Sequence, residues 1–256
     1  MIENLILLGL FASLAAGLCT GVGALPALFF KRVSNRALDT MLGAAAGVML
    51  AATSFSLVVP SIEYGNEVWP GSGVFVAVIG IFAGAFFLDR IDKWIPHEHF
   101  FKGPEGPASS LRKTWLFVLA ITIHNFPEGM AVGVGFGSGD IGSAIALAIG
   151  IGIQNMPEGL AVALPLMREK YTRSAAFLVA FLTGMVEPIG GLLGVSLVVV
   201  FKPILPFALA FAGGAMLFVI SDEIIPETHS RGNERLATFG VVIGFMIMMA
   251  LDNLLG

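Results

Sequence analysis

Residues 124–132 read HNFPEGMAV and residues 154–162 read QNMPEGLAV, an offset of 30 with six of nine positions identical. Each block sits inside a long apolar stretch, one over 113–138 and the other over 141–167. Either stretch crosses about 30 Å of hydrocarbon as a helix rising about 1.5 Å per residue. Consecutive spanning helices run in opposite directions, so the repeat is inverted, related by a pseudo-two-fold axis lying in the membrane plane.

Working outward, six further apolar stretches are placed at 4–30, 38–61, 71–92, 174–201, 206–227 and 236–254. A weaker echo joins two of them: GVMLAATS from Gly47 and GAMLFVIS from Gly214 share Gly, Met, Leu and Ser at matching offsets, with Pro60 and Pro226 following. The expected fold is an all-α integral membrane protein of eight transmembrane helices with inverted repeats. Helices one to three and six to eight are mirrored around central helices four and five, in one transmembrane domain over 1–256. The first stretch is too long for a signal-peptide core and is read as a retained helix.

Composition agrees with a lipid environment: hydrophobic residues make up 56% of the chain and charged residues 12%, about half the charged share of a soluble domain. Thirteen of the fourteen Lys and Arg residues fall on one side once the helices are threaded, Lys202 being the exception. That side is predicted to be cytoplasmic, which puts both termini outside the cytoplasm. The net charge of −4, without a basic face, excludes nucleic acid as a partner. The single cysteine, Cys19, excludes a disulfide framework and a thiolate metal cluster.

Helix four is centred near Asn125, helix five near Gln154 and helix six near Glu187, so three helices place polar groups at one depth. These are His124, Asn125 and Glu128; Gln154, Asn155 and Glu158; and Glu187. An ionisable group there costs about 3 kcal/mol on insertion scales, so such groups face the bundle interior with partners. Three clustered glutamates repel unless a cation or shared protons offset them. His124 with Glu128, and Gln154 with Glu158, are spaced i and i+4, which puts each pair on one helix face. Imidazole and carboxylate ligands suit Zn²⁺, and also Cd²⁺, Fe²⁺, Mn²⁺ and Co²⁺, without the thiolates of a tight structural site. Asn125 and Asn155 point about 100° away on a 3.6-residue helix. That leaves room for a second metal position that shares Glu128 and Glu158 and is completed by Glu187. Pro127, Pro157 and Pro188 free the carbonyls of Ile123, Ile153 and Gly184, tolerable at this depth where they line a polar cavity.

HNFPEG, QNMPEG, Glu187-Pro188 and the IIPETH segment ending at His229 together resemble the ZIP family of metal transporters, and within it the bacterial GufA-type branch. The resemblance covers nearly the whole chain. It implies uptake of zinc and related divalent ions into the cytosol across the plasma (bacterial inner) membrane, through a two-metal centre. By position, His124, Glu128, Gln154 and Glu158 would hold the first metal with Met49 nearby; Asn125, Asn155, Glu187 and the two shared glutamates would hold the second. Many relatives carry Asp at the place of Asn155 and several carry His at that of Gln154, so this centre is less charged. Asp222, Glu223 and His229 resemble a release path, as do Asp89, Asp92, His97, Glu98 and His99. The resemblance also suggests a central helix group sliding against helices two, three, seven and eight, and it leaves a homodimer open. Two other functions compete. An intramembrane metalloprotease calls for a constellation such as HExxH, which this chain lacks; a metal-regulated channel would use the same midplane residues.

Overall fold

The computed structural model describes residues 2–29, 34–94, 97–99, 103–105 and 113–255. Eight helices in it are long and apolar enough to cross a membrane. We label them α1 (Asn4–Phe29), α2 (Asn35–Val68), α3 (Gly73–Ile91), α4 (Thr114–Ser138), α5 (Ile141–Arg168), α6 (Arg173–Val200), α7 (Lys202–Thr228) and α8 (Glu234–Leu255). The chain is thus an all-α, multi-pass membrane protein, as the apolar stretches predict. Between α3 and α4 the described residues add one short antiparallel ribbon, β1 (His97–His99) with β2 (Gly103–Glu105). Pro104, which has no N–H, stands opposite Glu98 there; a two-stranded ribbon has an open edge on each strand, so the missing donor is tolerated.

The ends of α2 fall furthest from the sequence reading, which stopped it at residue 61. Proline at position 60 cannot bond the carbonyl of Ser56, and a helix normally ends or kinks there. Here residues Ala52–Val58 widen into a π-helical segment, in which Val59 N–H reaches back to Ser54 O, and the helix resumes through the polar turns to Val68. The same device recurs in α7: Ile220–Ile224 is π-helical, Ile225 N–H bonds Ile220 O, and Pro226 follows. α6, in contrast, breaks at Met185 and Val186, and its second half starts at Glu187 with Pro188 in the first turn.

α4 and α5 form the centre of the bundle, with 72% of each apolar window buried, against 22% for α3 and 17% for α8. The outer faces of α3 and α8 carry Phe75, Phe82, Val242 and Met246, all exposed, as lipid-facing surfaces require. The most extensive packings are α2 on α8, α3 on α7, α1 on α5 and α4 on α6.

Glycines set these packings, because small residues let helix backbones meet in lipid. A Cβ on Gly159 would lie 1.9 Å from Thr20 O, and one on Gly129 would lie 2.0 Å from Glu187 O. A Cβ on Gly23 would lie 1.9 Å from Met156 O, one on Gly190 2.3 Å from Phe126 O, and those on Gly17 and Gly184 2.2 and 2.3 Å from each other's carbonyl oxygens. Gly244 against Ala44 O and Gly84 against Phe211 O, both 2.0 Å, extend the set to the outer helices. Thr20 precedes Glu187 by the same interval as Gly17 precedes Gly184 and Gly23 precedes Gly190.

Polar ties join α2, α7 and α8 in one group and α1, α4, α5 and α6 in another. Asp39, fully buried at the start of α2, accepts from Arg231 at 2.5 Å and from Asn233 at 2.8 Å, joining α2 to the α7–α8 turn. Ser61 donates to Pro206 O (2.6 Å) and Ser56 to Asp252 (2.5 Å), joining α2 to α7 and α8. On the other group, Trp115 Nε1 donates to Tyr171 Oη (2.8 Å), Thr114 to Glu169 (2.6 Å) and Arg173 to Leu28 O (2.9 Å). These join α4, the α5–α6 turn, α6 and α1.

Candidate metal centre

Six of the sequence-predicted residues, His124, Glu128, Gln154, Asn155, Glu158 and Glu187, are linked by hydrogen bonds or electrostatic interactions, and Asn125 is buried on the same three-helix set. His124, Asn125, Glu128, Gln154, Asn155, Glu158 and Glu187 are each at most 1% exposed, on α4, α5 and the break of α6. Pro127 and Pro157 lie within unbroken helix, so Ile123 and Ile153 keep carbonyls that no proline N–H can meet. Glu187 stands in the first turn of its half-helix, where the partial positive charge of the free N–H groups favours a carboxylate.

The side chains cross-link the three helices. Gln154 Nε2 donates to Glu128 Oε1 at 2.7 Å. Asn155 Nδ2 donates both to Glu187 Oε1 at 2.6 Å and to Ala16 O at 2.9 Å, the latter drawing α1 against the centre. Glu128 lies within the electrostatic reach of Glu158 and Glu187, and Glu158 within that of His124 and Glu223. Three acids of one sign share a volume sealed from water.

Among the described residues, seven buried oxygens on these helices have no hydrogen-bond donor: Asn125 Oδ1, Glu128 Oε2, Gln154 Oε1, Asn155 Oδ1, both of Glu158 and Glu187 Oε2. Leaving a buried acceptor unmet costs about 1–3 kcal/mol. A hard or borderline divalent cation wants oxygen donors and no hydrogens, so it removes the deficit and the repulsion together. Among the described residues no three His, Cys, Asp or Glu side chains form a ready-made cage. The unpartnered oxygens of this set therefore belong to amides as well as carboxylates.

The remaining candidates fall elsewhere. Met49 is fully buried on α2, in the apolar cluster that also holds Ile151 of α5 and Ile220 of α7. Glu223 is 6% exposed, and its carboxylate contacts His124 Nε2, so the π turn of α7 delivers it to the centre and not to a loop. Asp222 beside it is half-buried. His229 caps the end of α7, its Nδ1 near Ile225 O (2.9 Å) and Thr228 Oγ1 (2.8 Å), and its Nε2 near Thr238 Oγ1 (3.1 Å) on α8, apart from the seven-residue cluster. Asp89 is paired with Arg90 and Lys93. Asp92 is helical and His97, Glu98 and His99 form β1; their side chains lie outside the described residues.

One residue beside the centre was not legible. Thr20 of α1 is fully buried with its Oγ1 unpartnered, one turn from Ala16 and packed on Gly159. The signal that finds it is the pairing of GLCTGVG at 17–23 with GMVEPIG at 184–190, which sets Thr20 where the other half has Glu187.

Helices crossing the membrane eight times around a buried, oxygen-rich centre define a polytopic membrane protein that handles a cation. Known sequences say which one. The family model described as ZIP Zinc transporter matches residues 102–252, more than half of the chain. The zinc transporter GufA of Myxococcus xanthus is 46% identical over 253 residues, which covers 97% of this chain and 99% of that protein. The zinc transporter ZIPB of Bordetella bronchiseptica is 45% identical, over 94% of this chain and 80% of its own length. The human zinc transporter ZIP11 is 37% identical over 93% and 94% of the two chains. This chain belongs to the ZIP zinc transporter family, in its GufA-type branch.

Proposed function

We infer that this protein carries zinc across the membrane through the centre on α4, α5 and α6. The observation that carries the reading is the set of seven donorless oxygens buried on these three helices. His124, Glu128, Gln154 and Glu158 form a first position; Asn125, Asn155 and Glu187 form a second that shares the two glutamates. Cadmium, cobalt, iron and manganese fit the same oxygen and imidazole donors with graded affinity. Similarity to the GufA, ZIPB and ZIP11 proteins, all named zinc transporters, supports zinc as the principal cargo.

The two halves are inverted repeats. Three observations support this: the matched glycine contacts, the π turns that fall on the equivalent GVMLAATS and GAMLFVIS segments, and the exchange of the α2–α8 packing with α7–α3 and of α1–α5 with α6–α4. α1, α4, α5 and α6 then form one group and α2, α3, α7 and α8 the other, and movement of the first against the second exposes the centre to either side. The charge bias puts the Lys170 turn in the cytoplasm and the Lys202 turn outside, with uptake toward the cytosol across the bacterial plasma membrane.

Purified protein in liposomes should take up zinc along its gradient, with excess cadmium competing. His124→Ala should reduce uptake to the protein-free background while the far-ultraviolet helix signal is unchanged. Unaltered uptake in that variant would remove the transport-site assignment. Orientation has its own check in intact cells, on a Cys19→Ser background. An impermeant maleimide should label Lys202→Cys directly and Lys170→Cys only after permeabilisation; the reverse order would invert the topology.

A further inference from the structure

Most polar ties inside the bundle stay within one helix group, although Tyr64 of α2 bonds Ser138 of α4 across the two. Asn155 with Ala16 O and Glu187, and Gln154 with Glu128, lie within the group of α1, α4, α5 and α6. Ser61 with Pro206 O, Ser56 with Asp252, and Asp39 with Arg231 and Asn233 lie within the group of α2, α3, α7 and α8. The His124–Glu223 contact crosses from one group to the other, deep in the bundle, the two side chains being 2% and 6% exposed. At the cytoplasmic rim Arg168 also crosses, reaching Asn35 Oδ1 at 3.1 Å, but that bond is open to solvent and correspondingly weak.

The crossing contact uses the atom the cargo needs. An imidazole nitrogen bonded to a carboxylate through its hydrogen cannot give the same lone pair to a metal. Zinc ligation at His124 Nε2 and the bond to Glu223 therefore exclude each other. The matched positions sharpen the point: Ser56 is the counterpart of Glu223, and Gln154 the counterpart of His124. Yet Ser56 is turned to Asp252 within its own group, and Gln154 to Glu128 within its own. The two groups are tied at one of two equivalent places, an asymmetry that suits a device made and broken during transport.

We propose that the His124–Glu223 contact is a latch between the two helix groups, which a divalent cation opens by taking His124 Nε2 as its ligand, the ring hydrogen passing from Nε2 to Nδ1. The proposal rests on the reading of His124 as a cargo ligand. It makes Glu223 a positioning residue for the helix groups, acting through His124.

Two readouts on the full-length protein test it. In the first, imidazole nitrogen NMR follows chain labelled at its four histidines, with His124 identified by loss of its signal in His124→Gln. Zinc is expected to move Nε2 of His124 from a protonated to a metal-bound shift. In the second, spin labels replace Lys170 and Arg235, exposed residues carried by the two groups, on a Cys19→Ser background. Zinc should shift the distance distribution by several ångström on the parent background, and Glu223→Ala should show the shifted population before zinc is added. Persistence of the Nε2–H signal with zinc bound would overturn the latch and make Glu223 an orienting partner of a ligand bound through Nδ1. A Glu223→Ala distribution identical to that of the parent, with and without zinc, would also overturn it. Failure of zinc to move any imidazole resonance would instead sink the transport-site reading itself, and the latch with it.

Discussion

Glu158→Gln is expected to lower zinc flux by roughly a hundred-fold or more, while Asn125→Ala lowers it by about ten-fold. Losing a group that merely orients a ligand already costs about 10–100-fold in metal affinity, so losing a ligand that the proposed centre shares between two positions should cost at least as much. Glu158 is the member with both oxygens buried and donorless, and it lies within reach of both His124 and the other glutamates. Gln is nearly isosteric and keeps one oxygen, so the helix packing survives and the change isolates the charge. In the proposed centre Asn125 would contribute one neutral oxygen, to the second position alone. Initial rates of radiozinc uptake into liposomes, normalised to folded protein, give both numbers. Equal, small losses in the two variants would show that Glu158 is not shared and that a single-metal centre is the better description.

How far the centre could be read beforehand depends on helix regularity. On α4 and α5 the proline-containing blocks sit in unbroken helix, so the i, i+4 spacing of His124 and Glu128, and of Gln154 and Glu158, translates directly into a shared face. Glu187 was found by its depth and its proline. The family resemblance assigns Glu223 to a release path at the end of α7; its contact with His124 depends on the π turn at Ile220–Ile224, which the residue spacing does not announce. A π turn takes one extra residue, which re-aims every side chain after it by about 100°. No hydrophobic pattern in ISDEI announces that. The end of α2 was missed for the same reason: Pro60 looks like a stop unless the preceding turn has widened. Thr20 escaped because a hydroxyl in an apolar helix is usually bonded to its own backbone, as Ser13 is to Gly9 O at 2.8 Å. Asp39 and Arg231, far apart in the chain, carry no mark that they meet. The charge bias, in contrast, needs no side-chain geometry and was readable at once.

The matched glycines predict the largest structural effect. Gly159→Ala should lower the thermal unfolding midpoint sharply and abolish flux, although alanine is the better helix former by about 1 kcal/mol. The added methyl would stand 1.9 Å from Thr20 O and 2.8 Å from Thr20 C, both backbone atoms, so a side-chain rotation cannot relieve the clash. α1 must move off α5. One turn earlier on α5, Asn155 holds Ala16 O and Glu187 together, so that movement also pulls apart the second metal position. Overpacking alone costs about 1–3 kcal/mol, and the broken amide bonds add about 1 kcal/mol each; together they outweigh the gain in propensity. Gly129→Ala should behave alike, because its methyl would stand 2.0 Å from a backbone atom too, Glu187 O. Gly135 on the same helix is the control: its nearest neighbour is the end of a flexible Leu147 side chain at 3.2 Å, so alanine there should cost nothing measurable. Circular dichroism melts in detergent, run beside the flux assay, separate the cases. If Gly159→Ala melts and transports like Gly135→Ala, then α1 and α5 have room between them, and the close backbone contact that positions Asn155 does not exist in the membrane.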